Sequence, residues 1–201
     1  ETFISMTNPE KAGKNPPNDS PPSGHGFRTE VFTDKEISSD DLTLYNIRPY
    51  TPKTDTEAER LSRYPLSLAH SILNRRFDVL SKEEGSPILG GGANRSVLFN
   101  QIEQGSLTVR PAENKWKAAI PVMEQELRRA LLHGFTQTEV DEAKARYINA
   151  AEQAVKRAPT RESAGLAMGL IGSIGEKSVF TTPDTSLELA KKGLTRLSPK
   201  D

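Results

Sequence analysis

The residues best suited to metal or acid–base chemistry in this chain are its three histidines, His25, His70 and His133. Zinc hydrolysis needs three protein ligands and a general base, typically two histidines one helical turn apart with a nearby glutamate. Neither H-E-x-x-H nor its inversion H-x-x-E-H occurs in the sequence. We interpret His25 as solvated, His70 as a core or boundary residue, and His133 as the C-terminal residue of a helix, where the dipole favours a cation. The sequence therefore predicts no catalytic and no metal-ligating residue.

A glycine run, Gly90-Gly91-Gly92-Ala93-Asn94, is the segment that comes nearest to a phosphate-binding loop. It lacks the spacing and the lysine of G-x-x-x-x-G-K-[ST], and it precedes a predicted strand instead of opening a helix. We interpret it as a flexible helix-to-strand connection, and no cofactor-binding residue is predicted. The pattern Gly165-x-x-x-Gly169 indicates tight packing on a sheet or a neighbouring helix.

Charged clusters elsewhere have structural interpretations. Arg75-Arg76 is expected at a helix edge, in a salt bridge or a domain contact rather than in substrate recognition. The clusters at 124–129 and 139–146 are predicted to be solvated helix faces with pairs at i,i+4.

The overall composition excludes several functional classes. Lysine plus arginine (27) balances aspartate plus glutamate (27), so the chain has no net field for nucleic acid or an anionic membrane. The absence of cysteine excludes disulfides, thiolate nucleophiles and cysteine zinc sites. The longest apolar stretch, 164–174, is too short to span a bilayer. No feature assigns a compartment, and the bacterial periplasm and the cytoplasm are both compatible with the sequence.

The chain is predicted to consist of a linker, residues 1–27, followed by one domain, residues 28–201. Its residues 8–26 are rich in proline and nearly devoid of apolar residues, so burial cannot offset their ordering entropy. The first residues do not form a targeting signal. At the other end, Ser198-Pro199 has the chemistry of a helix start. Both ends therefore suggest a piece of a longer protein.

Within the domain, period-2 and period-3.6 patterns predict strands and then helices. Strands are expected in the regions 30–48 and 94–110, the second region with a turn at Glu103-Gln104-Gly105. Helices are expected from Thr54, with Pro65 causing a kink or beginning a second helix, and they dominate from 114 onward. Trp116, Ile120, Met123, Leu127 and Leu131 are expected on one apolar face of a helix that contains Pro121 and ends at His133-Gly134.

The segment that follows has the strongest local signal in the chain. Thr136 can cap a helix while Glu139 reaches back to the cap's amide, and Phe135 can pack on Val140 as a hydrophobic staple. This helix is expected to stop before Pro159. Two further helices are expected, around 164–174 and around 183–197.

Two of these segments carry a family resemblance. The segment Leu68-Ala69-His70-Ser71-Ile72-Leu73-Asn74-Arg75-Arg76-Phe77 resembles the "la..mln.Rl" helix of peptidase family M16, the insulinase or pitrilysin group. The segment 133–144, beginning His133-Gly134-Phe135-Thr136, is similar to the family's "hGFTeaEleeaka". The resemblance implies an α+β fold of the M16 metallopeptidase (LuxS/MPP-like) type, with a mainly antiparallel sheet of about four strands covered by helices.

The resemblance also implies a function. In this family the zinc site lies in the first domain, and the sequence resembles a later, inactive (C-terminal-type) domain. The family's last domain usually supplies an Arg and a Tyr to the substrate, on a pattern like F-x-x-L-R-x-x-x-x-x-x-Y, and these positions fall on Ser81 and Ile88 here. That departure favours the second domain of the first half, or an inactive copy.

Two interpretations of the function follow. The chain is expected to be a non-catalytic domain of an insulinase-like zinc metalloendopeptidase that encloses substrate and packs on other domains, with zinc bound upstream. The alternative is a catalytically dead M16-like binding or scaffold module. The expected partners are other domains of the same protein and its peptide substrate, without nucleic acid and without a membrane span.

Overall fold

A computed structural model describes residues 40–200 of the chain. The strands are β1 (Leu42–Pro49), β2 (Ile88–Leu98) and β3 (Ile102–Pro111). The helices are α1 (Glu57–Ser62), α2 (Tyr64–Leu80), α3 (Trp116–His133), α4 (Gln137–Arg157), α5 (Ser163–Glu176) and α6 (Pro183–Thr195), with a short 3-10 helix at Ala158–Thr160. The predicted linker at 1–27, which includes His25, lies outside the described residues.

The strands form an antiparallel sheet in the order β1-β3-β2, and the α+β class is confirmed. Leu42 of β1 pairs with Val109 of β3, and Leu98 of β2 pairs with Ile102 of β3. The described residues form three strands, so the sheet of about four strands is not confirmed. The part of the strand prediction that falls on 30–39 lies outside the described residues.

The hairpin of β2 and β3 corrects the predicted strand boundaries. The glycine run does not connect a helix to a strand but lies inside β2. A Cβ at Gly91 would be 2.8 Å from Val109 Cγ1 and 2.9 Å from the Thr108 carbonyl oxygen, so only glycine fits there. The turn is at Phe99 and Asn100, both with positive φ (53° and 55°), and not at Glu103-Gln104-Gly105. Asparagine tolerates this backbone conformation, although glycine is the stronger sequence signal for a turn.

Two hydrophobic clusters on either side of α2 hold the fold together. One lies between α2, the sheet and α3 and consists of Phe77, Ile88, Leu107, Val109, Ala119 and Met123. The other lies between α2, α4 and α6 and consists of Leu68, Ile72, Val140, Ala143, Ala190 and Leu194. Because α2 contributes to both clusters, it connects the sheet to the helical part of the molecule.

The two prolines have the predicted effects, but α3 faces the core with only some of the predicted residues. Pro65 lies in the first turn of α2, which begins a new helix after α1. Pro121 lies inside α3 as expected. The apolar face predicted for α3 is confirmed in part, because Met123 is buried and Leu127 packs against the core, but Ala119 and Glu126 are buried as well. The residues of the predicted face that are exposed are Trp116, Ile120 and Leu131.

The junction of α3 and α4 has the predicted geometry. Gly134 ends α3 with a positive φ of 67°. Thr136 Oγ1 accepts a hydrogen bond from the Glu139 amide, and Glu139 Oε2 accepts one from the Thr136 amide at 2.8 Å. Phe135 packs against the cluster that contains Val140. The capping box is therefore confirmed, and it fixes where α4 begins.

Candidate functional site

The two histidines within the described residues lie on different helices. His70 is half-buried in α2, while His133 is exposed at the C-terminus of α3. Burial, and then the nearby Arg95 guanidinium, lower the pKa of His70, which favours its neutral imidazole. Among residues 40–200, no group of three or more His, Cys, Asp or Glu side chains is placed to hold a metal ion.

A buried arginine, Arg76, joins three helices. Its Nε donates to Glu139 Oε1 at 2.6 Å, and its Nη2 donates to Glu139 Oε2 at 3.0 Å and to the Gly134 carbonyl at 3.3 Å. Its guanidinium also lies over the Phe135 ring, 5.0 Å from the centroid. The side chain is only 9% exposed. Arg76 thus connects α2 to the start of α4, which confirms the salt-bridge interpretation.

Glu126 of α3 is the third charged member of this cluster. Its burial shows that the cluster at 124–129 is not entirely a solvated helix face, as had been predicted. Arg76 Nη1 and Glu126 Oε2 are 3.7 Å apart, which makes an ion pair without a hydrogen bond. Both atoms are buried and have no hydrogen-bond partner within the described part of the chain. The predicted i,i+4 pairs Arg128–Glu124 and Arg146–Glu142 are present on the exposed faces. The cluster around Arg76 is therefore an interior connection between helices, and the exposed pairs lie outside it.

Acidification is expected to destabilise the fold through three carboxylates. Hydrogen bonds from Arg76 lower the pKa of Glu139 to about 2, and arginine partners lower those of Asp55 and Glu103 to about 2 as well. A pKa lower in the folded state than in the unfolded state contributes stability above the unfolded value, and that stability is lost as pH falls through the folded value. The free energy of unfolding should therefore fall between about pH 5 and about pH 2. Urea unfolding at a series of pH values measures this, and Glu139→Gln should reduce the slope; an unchanged slope would contradict the assignment.

The most unusual surface belongs to α5, an apolar helix in which no residue is buried. Its large exposed side chains are Met168, Leu170, Ile171 and Ile174, of which Ile174 is 78% exposed. In the loop that follows, Val179 is 61% exposed and Phe180 is 41% exposed. We call these six residues the α5 surface. Exposed apolar side chains gathered on one helix and the loop after it usually mark a contact with another protein or domain.

The α5 surface is held in place mainly at its C-terminal end. Val179 donates its amide proton to Asp55 Oδ2 at 2.8 Å, and its carbonyl accepts from Arg60 Nη2 at 2.6 Å. Asp55 and Arg60 also pair with each other. Asn100 in the turn between β2 and β3 donates to the Gly175 carbonyl at 3.4 Å. The surface is thus tied to α1 and to the tip of the hairpin.

The small-residue pattern in α5 has a narrower role than predicted. A Cβ at Gly169 would lie 3.0 Å from Phe180 Cε2, so this glycine packs on the loop after α5. A Cβ at Gly165 would meet no atom within 4 Å, so the predicted contact with a sheet or another helix is wrong there. Ser81 caps the C-terminus of α2, and Ile88 is buried at the start of β2. Neither position offers a side chain like the family's Arg and Tyr.

These features define an α+β domain with helices packed against an antiparallel sheet. The fold is that of the M16-like domains of insulinase-family zinc proteases, as solved structures show. No family model matches the chain. No helix among residues 40–200 is long and apolar enough to cross a membrane.

The particular proteins that the chain resembles are bacterial proteases. The probable zinc protease PqqL of Escherichia coli K12 is 22% identical over 174 residues, which cover 83% of this chain and 18% of that protein. The first half of the periplasmic protease PqqL from E. coli superimposes with a TM-score of 0.75 at 20% identity, over 83% of this chain and 36% of that one. A predicted insulinase family protease from Yersinia pestis gives 0.70 at 17% identity, over 82% and 36%. The chain therefore spans less than a fifth of its curated relative.

Proposed function

We propose that this chain is a non-catalytic domain of an insulinase-like zinc-dependent metalloendopeptidase. Residues 28–201 form the domain, and residues 1–27 link it to a preceding domain that binds zinc. Its role is to form part of a chamber that encloses a peptide substrate and to pack against other domains. The relatives support the family, since PqqL is a probable zinc protease and the Yersinia pestis protein is a predicted insulinase family protease. Each match covers more than four-fifths of this chain.

The α5 surface is the observation that carries the packing role. Burial of apolar surface contributes a stabilising free energy of roughly 25 cal/mol for each Å² removed from water, and an exposed apolar side chain lacks this contribution. A helix with no buried residue and with four large apolar side chains exposed to solvent is therefore better explained by a covering partner than by a role in the isolated domain. The occupant is a neighbouring domain of the same protein, because more than four-fifths of the curated relative lies outside the matched region.

The chain itself is assigned no catalytic, metal-binding or cofactor-binding residue. The zinc motif of the family is absent from the sequence, and the positions that align with its substrate-contacting Arg and Tyr are Ser81 and Ile88. We assign no step of peptide hydrolysis to this domain. Its contribution is the surface that it presents.

Hydrogen exchange on this chain alone and on the longer protein tests the packing role. Amides of α5 should exchange rapidly in the chain alone, because few buried contacts oppose local opening. They should gain protection of at least tenfold in the longer protein, which corresponds to about 1.4 kcal/mol. Helix α4 serves as the internal control, since Val140 and Ala143 are already buried without a partner. Equal protection of α5 in both proteins would contradict a role in interdomain packing.

A further inference from the structure

A polar groove of about 620 Å³ lies between α2 and the end of the sheet where the turn between β2 and β3 begins. On this part of the helix-facing side of the sheet, charged side chains replace the apolar ones of the core. Arg48 pairs with Glu103 across β1 and β3, and Arg95 of β2 lies on the same side. The groove is distinct from the α5 surface, so the inference drawn from it does not depend on the proposed function.

The charges in this groove do not balance. Glu103 Oε1 accepts from both Arg48 (2.5 Å) and Arg95 (2.8 Å). These hydrogen bonds lower the pKa of Glu103 to about 2, so it is ionised at neutral pH and the cluster carries one excess positive charge.

A second cluster in the groove also contains two cations and one carboxylate. Glu59 pairs with Lys53 at 3.2 Å and with Arg63 at 3.5 Å. Two cations again share one carboxylate, so the lining carries two excess positive charges in all.

One cation of each cluster faces solvent, while the two carboxylates are largely covered. Arg48 and Lys53 are each 65% exposed, whereas Glu103 is 12% exposed and Glu59 is 18% exposed. An incoming anion therefore meets the cations first. Because each cluster lacks one negative charge, a ligand with two separated carboxylates would neutralise both.

Neutral hydrogen-bond donors lie between the charged residues. Asn74 Oδ1 accepts from the Ala93 amide at 2.6 Å, which leaves the side-chain NH₂ of Asn74 as a donor. The His70 imidazole and the Tyr147 hydroxyl also line the groove. Such donors suit the carbonyl oxygens of an extended peptide backbone.

We propose that this groove binds an acidic peptide segment that carries at least two carboxylates. The size of the groove exceeds what a single inorganic ion would fill. The chain as a whole has no net charge, so it lacks the broad positive field that nucleic acids require. A peptide with alternating acidic side chains satisfies both the charge excess and the backbone donors.

Fluorescence anisotropy with a short labelled peptide, in which glutamate alternates with serine, tests the proposal on the full chain. The double variant Arg48→Gln/Lys53→Gln should weaken binding roughly tenfold at low salt, because each exposed ion pair contributes a few-fold to affinity. The matched control Lys82→Gln/Arg128→Gln removes the same charge at two sites that are each 69% exposed outside the groove, and it should leave binding unchanged.

The peptide's glutamine counterpart should not bind. Equal weakening by both double variants, equal binding of the two peptides, or no binding of the glutamate peptide would each overturn the proposal. Displacement of the peptide by a single-stranded oligonucleotide at a similar concentration would also overturn it, in favour of a general polyanion site.

A second measurement separates binding in the groove from binding elsewhere. The NMR signals of the His70 ring should shift as the peptide is added, because new carboxylates would lie beside it. The exposed His133 ring at the end of α3 serves as the reference and should not shift. Shifts at His133 without shifts at His70 would locate the peptide outside the groove and contradict the proposal.

Discussion

Replacing Arg76 with methionine is expected to lower the free energy of unfolding by about 3 kcal/mol. The substitution keeps much of the aliphatic stem but removes the guanidinium that pairs with Glu139 and Glu126. Glu126 is 8% exposed, so its carboxylate would remain buried without a cation on one side. Breaking a buried pair by removing one partner costs several times more than losing an exposed pair. Urea denaturation at neutral pH measures the change.

The neighbouring Arg75 provides the matched control. It is 47% exposed and pairs with Asp78 at 2.7 Å on the surface of α2. Arg75→Met should change the free energy of unfolding by less than about 0.5 kcal/mol. Similar losses for the two variants would show that the burial of the Arg76 cluster does not determine its contribution.

Replacing Gly91 with alanine is expected to destabilise the domain by about 2 kcal/mol. The added Cβ would lie 2.8 Å from Val109 Cγ1, 2.9 Å from the Thr108 carbonyl oxygen and 3.1 Å from Phe77 Cγ. Phe77 and Val109 are both fully buried, and the oxygen belongs to the adjacent strand. None of these atoms can move without disturbing the core or the sheet. The midpoint of thermal or urea unfolding should fall accordingly.

Gly90→Ala tests whether the effect comes from this close approach. Gly90 is the preceding residue of the same strand, and a Cβ there would have no atom within 4 Å. The same substitution should be neutral or slightly stabilising, since alanine loses less backbone entropy than glycine on folding. A loss at Gly90 equal to that at Gly91 would show that the intrinsic backbone preference dominates, and not the packing on Phe77.

Features that depend on neighbouring residues in the sequence could be predicted. The capping box of Thr136 and Glu139 closes within four residues, and the break between α1 and α2 next to Pro65 follows from the ring of proline itself. The apolar helix α5 is predictable in the same way, because Ala164 to Ile174 carries almost no polar side chain. In each case the physical cause lies within one turn or one helix.

Features that depend on distant residues could not be predicted. Glu126 looks like any charged residue of a surface helix, and only Arg76, fifty positions earlier, explains its burial. The glycine run has the composition of a loop. Only the close packing of Phe77 and Val109 on Gly91 explains why glycine is needed inside β2. The two charge clusters of the groove include a pair between Arg48 and Glu103 on different strands, for which no local spacing is a signal. Such contacts follow only from the strand register and the helix packing.

The carboxylate of Glu139 couples the start of α4 to the docking of that helix on α2. Its Oε2 accepts from the Thr136 amide at 2.8 Å and from Arg76 Nη2 at 3.0 Å, so one side chain both starts α4 and docks it on α2. The energies of these two events are therefore not additive, and a double-mutant cycle would report coupling. Loss of this one carboxylate should therefore weaken both the start of α4 and its docking on α2.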